Sequence, residues 1–167
     1  MTNILTPVAV WVGRQDATRE NSHLVVGLDR WLDRISRGRV PLLRIAGLPT
    51  LVLHVPGRRS GVERSTPLLC ASWGNGLVIV GSNWGGDSVP AWVHNLRAAR
   101  PGTVATSVQG TRMLVDVREL SGAERAPAWG AAMRVWPNYA IYAGRTSRLI
   151  PVFHLTPRLD GPARQDA

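Results

Sequence analysis

Apolar positions near the start of the chain recur with a helical period and then switch to extended alternation. From Ser22 to Gly38, Leu24, Leu28, Trp31, Leu32 and Ile35 share one face, and Asp29, Arg30, Asp33, Arg34 and Arg37 the other. Ser22 suits an N-cap, Gly38 an exit, and Asp33 with Arg37 an i,i+4 ion pair. Such a helix either covers a core or lies on a membrane surface, and its acidic residues dilute the basic face. Val40–Ala46 and Thr50–Val55 then read as strands, with a turn at Pro56–Gly61. Arg64–Trp73 reads as one strand, and Gly74-Asn75-Gly76 as a hairpin turn into Leu77–Gly81. Asn83–Val89 is a loop, and Pro90 opens a short helix to about Ala99. Thr103–Val108 and Thr111–Leu120 form a hairpin around Gln109-Gly110. Ser121 and Glu124 have capping-box spacing at the head of a helix that runs to Trp136, where Pro137 interrupts it. Tyr139–Ala143 predicts one further turn and Leu149–Thr156 the last strand.

About six short antiparallel strands joined by hairpins, with helices around them, predict a mainly β fold of α+β class. Curling the sheet into a small barrel removes exposed edges. The pattern argues against a parallel doubly wound sheet, because hairpin turns are too short for crossovers. The expected organisation is a flexible N-terminus at 1–21, a single domain at 22–157 with an N-terminal amphipathic helix, and a flexible tail at 158–167.

Composition refines this picture. Of the 167 residues, 44% are hydrophobic and 19% charged, which is too apolar for a disordered chain. With one cysteine, Cys70, there is no disulfide framework, and no Cys/His cluster has metal-site spacing. No apolar run approaches the roughly 20 residues of a membrane span, and no secretory signal opens the chain. A cytoplasmic protein is expected, with peripheral membrane contact through residues 22–38 left open. All 20 basic residues are arginine and the formal charge is +9, which points to an anionic partner.

Three segments are candidates for chemistry. Gly57-Arg58-Arg59-Ser60-Gly61 with Arg64 offers arginine forks and backbone N–H groups around an anion, or else is a solvent-facing hairpin. Ser82-Asn83-Trp84-Gly85-Gly86 stands at a strand end and is followed by Pro90, Trp92 and Asn95. Trp92 either stacks on a planar ring or packs its helix onto the sheet. Trp136, Tyr139 and Tyr142 occupy neighbouring positions of helical turns, upstream of Arg145 and Arg148. They wall a cavity or pack a core. The four histidines are scattered, and no Ser-His-Asp order or carboxylate pair points to hydrolysis.

Taken in order, these segments resemble the deazaflavin-dependent nitroreductase family, actinobacterial and archaeal reductases that use the reduced coenzyme F(420). The resemblance starts at Gly57–Leu68 and continues through Ser82–Gly86, Pro90-Ala91-Trp92, Asn95-Leu96, Trp136–Tyr139, Arg145–Arg148 and Ile150-Pro151-Val152. It covers about residues 40–157 and implies a split β-barrel related to the flavin-mononucleotide-binding reductases. It places Arg58, Arg59 and Arg64 around the coenzyme's phosphate and glutamate tail. Pro67, Leu68, Ser82 and Asn83 fall beside the deazaflavin or its ribityl chain, and Trp92 and Asn95 support the loop. Trp136, Tyr139 and Tyr142 fall at the substrate pocket, where Ser82 or Tyr139 would donate to the developing oxyanion.

The implied activity is hydride transfer to a quinone, an activated enone or a nitro compound, with flavin mononucleotide the less favoured cofactor. A non-redox member that binds or rearranges a hydrophobic small molecule in natural-product metabolism is the alternative, motivated by Trp84 and Trp136. A basic binding module for nucleic acid or membrane, motivated by the +9 charge, ranks last. Neither the physiological substrate nor the oligomeric state is legible at this level.

Overall fold

In the computed structural model, residues 47–158 are described. The expected helix at Ser22–Gly38, the strand at Val40–Ala46, the N-terminus at 1–21 and the tail from 159 lie outside them.

Strands β1 (Thr50–Pro56) and β2 (Glu63–Leu69) form the first hairpin, and β3 (Ala71–Trp73) and β4 (Gly76–Val80) the second. Helix α1 (Ala91–Ala98) precedes β5 (Ala105–Val108) and β6 (Thr111–Glu119). Helices α2 (Gly122–Val135) and α3 (Asn138–Gly144) then lead to β7 (Val152–Pro157). The seven strands make one antiparallel sheet in the order β2-β1-β5-β6-β7-β4-β3. Nine-residue β6 pairs with β5 through Thr111–Leu114 and with β7 through Val115–Glu119, so it carries the sheet around its bend. Edge strand β2 also lies against β4, which curls the sheet into a half-barrel.

One expected strand divides in two. Arg64–Trp73 breaks at Cys70, whose N–H donates to the Pro49 carbonyl at 3.0 Å instead of joining a ladder. Residues before the break pair with β1 and those after it with β4, giving seven strands rather than about six. Pro67 is tolerated because β2 is an edge strand, where a missing N–H loses no ladder bond. The capping box is also absent. Ser121 takes the N-cap with extended backbone but makes no side-chain cap bond. Glu124 is instead held by both Arg118 terminal nitrogens, and a charge-assisted bidentate pair outcompetes a backbone N–H.

The sheet has two apolar faces. Inside the half-barrel, Leu51, Leu53, Val55, Ile79, Val115, Phe153 and Leu155 pack against Trp92, Val93 and Leu96 of α1. On the other face, Val78, Val80 and Val152 meet Ala128, Ala131 and Ala132 of α2 and Tyr139 and Tyr142 of α3. This explains why β1 alternates buried and half-buried residues, whereas β4 and β7 read as nearly continuous apolar runs. No helix among the described residues is long and apolar enough to cross a membrane.

Candidate functional site

The arginine loop sits at the rim of the half-barrel. Gly57 N–H donates to the Val62 carbonyl at 2.9 Å, and Gly61 N–H to the Gly57 carbonyl at 2.7 Å. Gly61 takes φ +69°, a conformation that suits glycine, and a Cβ on Gly57 would lie 3.0 Å from Ser60 Oγ. Helix α1 fixes the loop from beneath, because Asn95 Oδ1 accepts the Arg58 N–H at 3.2 Å. Asn95 itself is buried, at 9% exposure. Trp92 is buried as well and meets Phe153 edge-on at 5.9 Å, so its ring anchors α1 to the sheet.

Register sorts the β2 residues between two faces. Arg64 and Leu68 stand opposite Val55 and Leu51, on the face that lines the half-barrel. Pro67 stands opposite Val52, on the outer face. Arg64 also comes close to the loop, its Nε 3.6 Å from the place a Cβ on Gly57 would occupy.

Charge is distributed unevenly around this rim. Residues 47–158 hold twelve arginines and five carboxylate side chains. Glu63 is taken by Arg112, Glu119 by Arg97, Glu124 by Arg118, and Asp116 lies 3.6 Å from Arg158. Asp87 accepts from Thr146 Oγ1 at 3.3 Å. The side chains of Arg58, Arg59 and Arg64 are exposed, and their guanidinium groups make no hydrogen bond or ion pair among the described residues. Three forked cations, two on the loop and one at the start of β2, are therefore uncompensated.

The second segment lies on the other flank of α1. After β4, Gly81 is pressed between Pro151 and Val93 of α1, where a Cβ would come within 2.9 Å of both side chains. Ser82 is half-buried and leads into a 3-10 turn, Asn83–Gly85. Asn83 and Trp84 have φ of 47° and 56°, left-handed conformations rare for any residue but glycine. The Asn83 amide nitrogen donates to Ser88 O and Ser88 Oγ, both at 3.1 Å, so this side chain closes its own loop. Trp84 meets Tyr142 edge-on at 5.8 Å, which joins the turn to the aromatic segment.

Trp136, Tyr139 and Tyr142 are all buried, at 4%, 6% and 2% exposure. Trp136 Nε1 donates to Tyr142 Oη at 3.4 Å, and the two tyrosine rings meet edge-on at 6.2 Å. Burial, with Tyr142 and Cys70 nearby, holds the Tyr139 phenol well above its usual pKa, so at neutral pH it keeps its proton and can donate it in a hydrogen bond. Tyr139 borders a closed seam with no room for a water molecule, lined by Leu69, Cys70, Ala71, Val78, Val80, Ala132 and Val135. The Cys70 thiol is pushed up to about 11 by burial, which makes it a poor nucleophile.

Two histidines have structural partners that sequence spacing could not show. His54 Nδ1 lies 2.9 Å from Ser65 Oγ and its Nε2 2.8 Å from Ser107 Oγ, on the outer face of the sheet. His154 is buried edge-on against Trp73 at 4.8 Å. A further residue with no earlier role is Arg148. Its Nε donates to Gly86 O at 2.9 Å, and its Nη2 to Gly81 O at 3.2 Å and Ser82 O at 2.7 Å. No group of side chains among the described residues could hold a metal ion.

Residues 30–157 match the family model described as F(420)H(2)-dependent quinone reductase. The chain belongs to that family. It is 36% identical over 142 residues to an F(420)H(2)-dependent quinone reductase of Mycobacterium tuberculosis, covering 81% of this chain and 94% of the relative. Among solved structures it resembles an F(420)-H2 dependent reductase, FDR-A, with a TM-score of 0.58 and 32% identity over 64% of this chain and 93% of that one. A structure described as a domain-swapped dimer aligns with a TM-score of 0.61 and 29% identity, over 81% and 98% of the two chains.

Membership in the quinone reductase family brings coenzyme F(420) as cofactor. The residues present suit it. A phosphate and a run of carboxylates call for forked cations that no internal acid has claimed, and Arg58, Arg59 and Arg64 meet that condition.

Proposed function

We propose that this reductase holds its deazaflavin coenzyme against the arginine rim and the Ser82 turn, and reduces quinones, activated enones and nitro compounds there. Its leading support is the uncompensated guanidinium loop, pinned to α1 through Asn95. Arg58, Arg59 and Arg64 bind the phosphate and glutamate tail, and Leu68, on the face of Arg64, lies against the ring system or ribityl chain. Pro67 and Asn83 contribute through their backbones, since one side chain faces outward and the other is engaged by Ser88. Trp92 and Asn95 fix the loop and touch no substrate.

When bound in its reduced form, the coenzyme supplies a hydride. The protein's task is then to align two reactants, and alignment is worth roughly 7–11 kcal/mol of barrier. Ser82, half-buried at the strand end, donates to the substrate oxygen that gains charge. Tyr139, a neutral phenol in the aromatic wall with Trp136 and Tyr142, is the second donor, reached where a substrate opens the seam beside Leu69 and Cys70. Solvent returns the proton that completes the hydroquinone.

Titration with coenzyme F(420) followed by stopped-flow reduction of menadione tests the reading. Saturable binding and hydride transfer are expected. Absence of both, at coenzyme concentrations well above micromolar, would overturn it.

A further inference from the structure

The turn that carries Ser82 and Asn83 is strained, and its restraint comes from a residue more than sixty positions away. A left-handed backbone is unfavourable for a non-glycine residue, and asparagine tolerates it better than tryptophan does. Trp84 at φ 56° is therefore the unfavourable position. Local bonds alone are few: Gly85 N–H to Ser82 O at 3.0 Å and Gly86 N–H to Asn83 O at 2.8 Å.

We propose that Arg148 is the positioning residue of this turn, its guanidinium gathering the carbonyls of Gly81, Ser82 and Gly86 so that Ser82 and Asn83 are held at the coenzyme site. The assignment rests on the function proposed above for that site, but the hold itself is a property of the chain. The fork joins the entrance of the turn, Gly81 and Ser82, to its exit, Gly86. The segment bearing it is tied to the same loop a second time. Arg148 N–H donates to Thr146 Oγ1 at 3.4 Å, and that hydroxyl donates to Asp87. Helix α3 closes the opposite side, where a Cβ on Gly85 would lie 2.9 Å from the Tyr142 carbonyl. The turn is thus clasped between α3 and a cation.

Geometry makes arginine specific here. Two nitrogens pointing in different directions serve carbonyls at the two ends of the turn, whereas the ammonium of a lysine is a single point of contact. Burial lowers the Arg148 pKa, with Asp87 opposing, but the group stays charged at working pH. Nη1 is buried and has no acceptor among the described residues, so the hydrogen bonds of the fork all run to the turn.

The test uses the full chain with Arg148→Met and Arg148→Lys, and two independent measurements. Hydrogen exchange without coenzyme should quicken at least about tenfold at Gly85 and Gly86 in both variants, and change by less than about twofold in β1 and β7. Coenzyme F(420) titration should show Kd weakened about tenfold or more in both, while the KM for menadione at saturating coenzyme moves less than about twofold. Unchanged exchange at Gly85 and Gly86 would overturn the proposal whether or not the coenzyme binds. So would an Arg148→Lys protein with the affinity of the wild type, which would make Arg148 a direct charge partner of the anion. Should Arg148→Met fail to fold, Arg148→Lys decides both questions. Failure of the wild type to bind coenzyme would instead sink the functional reading, and exchange would still settle the hold.

Discussion

His54 shows how a side chain with both ring nitrogens bonded becomes a pH-dependent element. Burial and the Arg112 charge lower its pKa, and the weaker pull of Glu63 does not restore it. The unfolded chain therefore takes up the proton first, below about pH 6.5. Stability is unaffected above that value and declines as pH falls toward the folded-state pKa. Denaturant midpoints should drop between about pH 7.5 and 5.5, and drop less in His54→Gln, whose amide offers the two serines a donor and an acceptor. Equal pH dependence in both proteins would remove His54 as the cause. At the proposed coenzyme site, Arg59→Ala and Arg64→Ala would each delete a charge-assisted contact worth about 1.5–3 kcal/mol, so coenzyme Kd should weaken roughly tenfold to a hundredfold. Hydride transfer from the bound complex should change much less, as pre-steady-state rates at saturation will show.

Helix α1 is the element on which both halves of the site depend. Trp92 seats it in the half-barrel, Val93 abuts Gly81, and Asn95 takes the Arg58 N–H. Replacing Asn95 with alanine leaves a loop N–H without its acceptor, at a cost of about 1 kcal/mol in stability. It should also weaken coenzyme binding severalfold with no change in the KM for menadione. Circular dichroism melts and coenzyme titration check the two halves of that expectation, and Kd equal to wild type would detach α1 from the site. The hairpins, α1, α2 and the Pro137 break between α2 and α3 were legible, because turn residues and apolar periods are local signals. The split at Cys70 was not, since no glycine or proline marks it and only pairing with β1 or β4 distinguishes its sides. The arginine loop was legible from its composition. Arg148 was not, because the carbonyls it gathers lie 62 to 67 residues away in sequence.

Across the described residues, the carboxylates are all engaged away from the arginine rim. Four of the five described carboxylates pair with arginines on β6, on α1 or just after β7, and Asp87 is tied to Thr146. None of them pairs with the loop of Arg58, Arg59 and Arg64. Binding of a polyanionic coenzyme to exposed cations is screened by salt, because the Debye length shrinks from about 10 Å at 0.1 M to about 3 Å at 1 M. Coenzyme Kd should accordingly rise about tenfold or more between 0.05 and 0.5 M sodium chloride, and the KM for an uncharged quinone should stay within about twofold. A deazaflavin carrying only its ribityl chain, without the phosphate and glutamates, separates charge from ring contact. It should bind more weakly than the full coenzyme at low salt and show almost no salt dependence. A steep salt dependence for that neutral compound would mean that screening acts on the protein's own fold rather than on the arginine rim.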